Sequence, residues 1–136
     1  MDEILNQIEK FHGHLGPYVV IGYKMGEIAN QMLGSDPFKK HALVLTGVQP
    51  PISCIIDGIQ ISSGCTLGKG NISVNDEGAA KVQFTDKNGK KIEIALKPKT
   101  KHEIDTTVTD NNIIQFSKQI YAKSNEELFD IYEESS

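Results

Sequence analysis

Two runs of alternating apolar and polar residues meet at an Asn-Gly pair in the middle of a chain whose remaining apolar residues recur with helical spacing. Val82 and Phe84 alternate with polar neighbours, as do Ile92, Ile94 and Leu96, and Asp86-Lys87-Asn88-Gly89-Lys90 lies between the two runs. Asn-Gly is a strong hairpin signal, and a period of two buries one face of each strand. The hairpin therefore spans Ala80–Thr85 and Lys91–Leu96, and further short strands are expected at Ala42–Val48 and Ile72–Val74.

The flanking segments have a period near 3.6. Ile4, Leu5, Ile8 and Phe11 mark an amphipathic first helix over residues 3–11. Pro17 suits the first turn of a second helix, whose apolar positions are Ile21, Met25, Ile28, Ala29 and Met32, with Gly34-Ser35-Asp36-Pro37 as its stop. Gly22 and Gly26 lie one turn apart on it and each costs about 1 kcal/mol of helix propensity relative to alanine, tolerable where another backbone approaches closely. A third helix is expected from near Pro51. Helical spacing resumes after Asp110 with Ile113, Ile114, Ser117 and Ile120, and Ser124-Asn-Glu-Glu fits a capping box for a last short helix. Helices, then strands, then helices is an α+β order: N-terminal helices, a central, mostly antiparallel sheet with a β-hairpin, and C-terminal helices. With 136 residues, no repeats and no long linker, residues 1–136 are expected to form one domain.

Composition removes some functions. The formal net charge is −4, and every one of the 14 cations is lysine, so the arginine forks and basic face of nucleic-acid readers are missing. No apolar run is long enough to span a bilayer, and the acidic start Met1-Asp2-Glu3 does not resemble a signal peptide, so a cytoplasmic location is expected, without membrane partners. In a reducing compartment two cysteines are not expected to form a structural disulfide.

Those two cysteines and two of the four histidines fall in two glycine-rich strings, Phe11-His12-Gly13-His14-Leu15-Gly16-Pro17 and Cys54 to Asn71. Two imidazoles and two thiols are the ligand types of a zinc site. In the third helix Ile52, Ile55, Ile56 and Ile59 make one apolar stripe, which leaves Cys54 and Asp57 on the other side. Cys54 sits in the first turn, where the helix dipole favours a thiolate, while Asp57 opposes it unless a cation lies between them. A metal on His12, His14, Cys54 and Cys65 removes that conflict; an extended His12–His14 segment, bent at Gly13, would aim both rings at one ion. Buried structural thiols and a chance His-x-His are the plain alternative, and His41 and His102 are read as surface or strand-edge residues. Gly64-Cys65-Thr66-Leu67-Gly68-Lys69-Gly70 lacks the spacing and the Ser or Thr of a phosphate loop, and is read as a tight turn in preference to an anion-binding nest with Lys69 as its charge.

Phe11-His-Gly-His, Cys-x-x-Asp-Gly-Ile-Gln from Cys54, and Ser63-Gly-Cys-Thr-Leu-Gly-Lys-Gly-Asn together resemble the FmdE family, named for the E component of formylmethanofuran dehydrogenase. The resemblance is strong over residues 5–75 and looser beyond. It implies an α+β homodimer with a metal-associated His/Cys pocket: His12, His14, Cys54 and Cys65, with Asp57, Gln60, Thr66 and Lys69 nearby. Many members read His-Gly-His-x-Cys-Pro-Gly, whereas this chain has Gly16 in place of that cysteine and Tyr18 in place of the last glycine. There is no cysteine after Cys65 in these 136 residues, so the C-terminal zinc ribbon of some members is not expected within them. The expected function is a metal-binding accessory protein, carrying zinc first and nickel or iron as alternatives, beside a redox-enzyme partner in one-carbon metabolism. The alternatives are a Cys/metal-dependent enzyme acting on a small anionic substrate, with Cys54 and Asp57 as its reactive groups, and a dimeric structural module with its contact at the Gly22/Gly26 helix and hairpin.

Overall fold

In a computed structural model, which describes residues 2–134, six α-helices pack with a five-stranded mixed sheet. The helices are α1 (Glu3–His12), α2 (Pro17–Leu33), α3 (Cys54–Ser63), α4 (Pro98–Thr107), α5 (Ile113–Ala122) and α6 (Asn125–Leu128). The strands are β1 (Lys40–Val44), β2 (Ile72–Val74), β3 (Lys81–Asp86), β4 (Lys91–Leu96) and β5 (Phe129–Glu134), ordered β2-β1-β3-β4-β5. Only β1 and β2 run parallel; the other neighbours are antiparallel, so the expected α+β class with a mostly antiparallel sheet is what forms.

Strand register explains the core. Ala42 pairs with Phe84, Val44 with Val82, Phe84 with Ile92 and Val82 with Ile94, which puts all of them on one fully buried face. The opposite face is polar, with Gln83 donating to Glu93 at 3.0 Å. Helix α2 contacts β3 and β4 on one side and α3 and α5 on others, so it is buried almost all round, from Tyr18 to Ala29. Lys24 and Lys40 survive burial by donating to main-chain carbonyls: Lys24 Nζ to Tyr121 at 2.9 Å, and Lys40 Nζ to Gly34 at 2.9 Å. Each thereby satisfies a carbonyl in the last turn or cap of a helix.

The two glycines of α2 face inward, onto α3. A Cβ on Gly22 would fall on the Ile55 carbonyl oxygen, one on Gly26 on Ser62 Oγ, and one on Gly58 of α3 on the Val19 carbonyl oxygen. The expected close backbone approach is therefore internal to the protomer, and Gly22 and Gly26 are not available as a contact between protomers. Other expectations need adjustment. β1 begins and ends earlier than residues 42–48, because the chain turns away after Val44. Helix α4 was not legible: only Thr100 and Ile104 are buried, so it has no apolar stripe. The capping box at Ser124 is present, with Ser124 and Glu127 each accepting from the other's backbone N–H. The segment after it, however, is the edge strand β5 rather than more helix.

Candidate metal and ligand site

α1 ends at His12 because Gly13 takes the left-handed conformation (φ 102°) and donates its N–H to Glu9 at 2.8 Å. That turn, rather than an extended segment, sets His14 beside His12, with ring centres 4.9 Å apart. Gly16, the N-cap of α2, has the His14 ring against its backbone: a Cβ there would lie 3.2 Å from His14 Cε1. A cysteine at this position would thus project beside His14, and the glycine leaves that space empty of a thiol.

α3 presents the other half. Its stripe buries Ile55 and Ile59 fully and Ile52 and Ile56 in part, which turns Cys54 and Asp57 toward α1. Asp57 Oδ2 lies 2.7 Å from His12 Nδ1. A carboxylate accepts, so Nδ1 is the donor of this contact, and in the neutral ring that leaves the lone pair on Nε2. Cys54 is half-buried, and its own N–H donates to the Pro51 carbonyl at 3.1 Å. Burial and then the Asp57 carboxylate push its thiol up, outweighing the pull of the backbone N–H. His12 and Cys54 line two adjoining cavities. One, of about 230 Å³, is shared with His14, Pro17, Tyr18, Asp105 and Ile113; the other, of about 260 Å³, with Val48, Pro50 and Asp57.

Three of the four expected ligands, His12, His14 and Cys54, therefore line one cavity, and the fourth does not. Cys65 lies beyond the far end of α3, a helix of ten residues and hence about 15 Å long. It is fully buried, its Sγ 3.7 Å from the Lys40 carbonyl and its N–H donating to Ser63 Oγ at 3.1 Å. Gln60, Thr66 and Lys69 share that remote end and bond to the turn itself. Gln60 Oε1 accepts from Leu67 N at 3.3 Å, and Thr66 Oγ1 accepts from Lys69 N at 3.4 Å and Lys69 Nζ at 3.1 Å. The tight-turn reading of this loop agrees with those bonds, and no part of it lines either cavity. His41 and His102 are exposed, on β1 and α4. Among the described residues, no group of three or more His, Cys, Asp or Glu side chains is placed as it stands to hold a metal ion. In chemistry the donors suit a borderline divalent ion: two imidazoles, one with its tautomer set by a carboxylate, and a thiol that needs a nearby cation to ionise.

One wall of the cavity shared with His14 was missed from sequence. Tyr18 OH donates to Asp105 Oδ1 at 2.6 Å, and Lys101 Nζ donates to Asp105 Oδ2 at 2.7 Å. Tyr18 stood out as a departure from the family pattern; nothing in the periodicity of residues 98–107 marked Asp105.

A family model described as "FmdE, Molybdenum formylmethanofuran dehydrogenase operon" matches residues 11–131. The chain belongs to the FmdE family. A curated relative, the "Probable S-adenosyl-L-methionine-binding protein" of Archaeoglobus fulgidus, is 31% identical over 80 residues. That match covers 57% of this chain, and the chain spans only 22% of the relative's length. Among solved structures, a "tungsten formylmethanofuran dehydrogenase subunit e (fmde)-like protein" from Syntrophus aciditrophicus superimposes with a TM-score of 0.69 at 19% identity. The superposition covers 98% of this chain and 71% of that one, and it shows a shared fold. No helix among the described residues is long and apolar enough to cross a membrane.

The raised thiol has a measurable consequence. With less thiolate at any given pH, Cys54 of the metal-free protein is expected to react with iodoacetamide several-fold more slowly than free cysteine at pH 8. Its rate should go on rising with pH after that of the free thiol has levelled off. Asp57→Asn removes one of the two causes and should speed the reaction; mass spectrometry of the labelled peptide reads both. A Cys54 rate at or above that of free cysteine contradicts the environment described.

Proposed function

We propose that this FmdE-family protein is a metal-binding accessory protein that holds a divalent transition ion, zinc before nickel or iron, on His12 Nε2, His14 and Cys54. The observation that carries the reading is the 2.7 Å contact between His12 Nδ1 and Asp57. Metal-ligating histidines characteristically give their second ring nitrogen to such a carboxylate, which fixes the tautomer and aims the other nitrogen. His14, exposed on the loop after Gly13, is the donor best able to adjust to an ion. The bound ion would supply a Lewis acid and the positive charge that reconciles Cys54 with Asp57. Three protein donors leave a fourth position for water or a partner's group.

The family description, with its formylmethanofuran dehydrogenase operon, supports a role beside a redox enzyme of one-carbon metabolism. So does the name of the solved neighbour. We place the protein in the cytoplasm as a homodimer that serves such an enzyme. A thiol enzyme acting on an anion is the weaker reading, because Cys54 is held protonated and the Lys69 loop lies outside both cavities.

Elemental analysis of protein purified without a metal-affinity tag tests the reading. Zinc, nickel or iron near one per chain is expected in the wild type, and a His12→Ala/Cys54→Ser double variant with an unchanged circular dichroism spectrum should lose it. Wild-type protein that retains no metal after zinc loading and desalting overturns the assignment.

A further inference from the structure

The α4 side of the cavity lined by Tyr18 and Asp105 takes no part in the metal reading, whose donors come from α1, the loop after it and α3. There the Asp105 carboxylate meets the cavity with Ile104, Val108 and Ile113 around it. Tyr18 and Lys101 occupy one lone pair on each Asp105 oxygen, which leaves about two positions able to accept. Burial alone would raise this carboxyl, but the hydrogen bonds from Lys101 and Tyr18 hold it below the ordinary range, so it is ionised at neutral pH. Among the described residues that line the cavity there is no lysine. Lys101 itself lies outside the lining; it and Asp105 are 38% and 39% exposed, so the pair sits at the edge of the cavity, where water screens both charges. The cavity thus has apolar walls with a carboxylate, paired with Lys101, at its edge and no lysine in its lining, the reverse of an anion site.

Its size narrows the occupant. An apolar cavity of about 150 Å³ takes benzene; this one, at about 230 Å³, has room for a ring or short chain with a few further atoms. We propose that the cavity binds a small, mostly apolar primary amine, with its ammonium group on Asp105 and its hydrocarbon against Ile104, Val108 and Ile113. The phenol of Tyr18 orients the carboxylate at the exposed edge of the cavity, so the ammonium keeps part of its hydration while the hydrocarbon is buried against the apolar wall. A competing explanation is that Tyr18–Asp105 merely staples α2 to α4. Asparagine at position 105 separates the two, since its amide oxygen still accepts from Tyr18 while the charge is gone.

The test uses benzylamine, benzyl alcohol and benzoate as probes of one shape, titrated into the full chain after treatment with EDTA. Two-dimensional NMR follows Val108, Ile113 and Tyr18. Benzylamine is expected to bind about tenfold or more tightly than either of the others, and Asp105→Asn should erase that preference while the melting temperature stays within a few degrees. Equal or tighter binding of benzoate, shifts that bypass Val108 and Ile113, no binding of any probe, or an Asp105→Asn variant with its preference intact each overturns the proposal. If Asp105→Asn does not fold, the ranking of the three probes on wild type decides the matter. A repeat after adding zinc, with metal content measured alongside, reports on the metal separately, because amine binding to the metal-free chain does not depend on it.

Discussion

A single methyl group added at Gly58 or at Gly22 is expected to destabilise the protein by about 3 kcal/mol or more. Helix propensity argues the other way, since alanine for glycine in a helix gains about 1 kcal/mol. The clash must exceed that gain, and its geometry says that it does. The new Cβ at Gly58 meets the Val19 carbonyl oxygen and the Tyr23 backbone nitrogen, and at Gly22 the Ile55 carbonyl, all main-chain atoms of a packed helix. Neither can move without separating α2 from α3. Gly26→Ala should cost less, because its nearest atom, Ser62 Oγ, is a side chain able to rotate. Gly68→Ala is the control: nothing lies within 4 Å of its Cβ, and little change is expected. Urea denaturation of the four variants checks the order. A Gly58→Ala protein within about 1 kcal/mol of wild type would show that the two helices are not in backbone contact. The same contact bears on the site, because α3 carries Cys54 and Asp57 and takes its position from α2.

Asp57→Asn is expected to weaken zinc binding about 10–100-fold, although Asp57 is not itself one of the proposed ligands. The amide side chain can donate to His12 Nδ1 as well as accept from it, so the proton is no longer held there and the Nε2 lone pair is no longer reserved for an ion. Cys65→Ser, by contrast, should leave zinc affinity within about twofold and instead lower stability, by about 1–3 kcal/mol, since it exchanges a buried thiol for a hydroxyl in the core. Competition titrations with a chromogenic chelator, run beside denaturation curves, separate the two outcomes. If Cys65→Ser lost affinity as His12→Ala does, Cys65 would have to reach the ion from a second protomer, and the single-protomer donor set would fall.

The distinction between these two cysteines shows where sequence reasoning stops. Cys54 was recognisable because helical periodicity put it off the apolar stripe and next to Asp57. Cys65 follows the helix, where no period applies, and its glycine-rich company fits a ligand loop and a tight turn equally well. The fold separates those readings: Ser63, Lys40 and the turn bonds of Thr66 seat Cys65 in the core. Hairpin β3–β4 and helices α2 and α3 were legible for the same reason as Cys54, long runs with one period. α4 and β5 were not. α4 buries two residues, and β5 is an edge strand with exposed Tyr132 and Glu134, held by pairing with β4 rather than by its own pattern.

Local periodicity in the chain marked the hairpin, helices α1, α2, α3 and α5, the need for a close approach at Gly22 and Gly26, and the candidate donors His12, His14, Cys54 and Cys65, because each signal is carried by residues within one or two turns of each other. The tertiary structure decided which donors share a cavity, that Cys65 is excluded, and that Tyr18 and Asp105, 87 positions apart in the chain, form a charged wall of it. Such contacts are set by how helices pack on a sheet, and no local period encodes that distance.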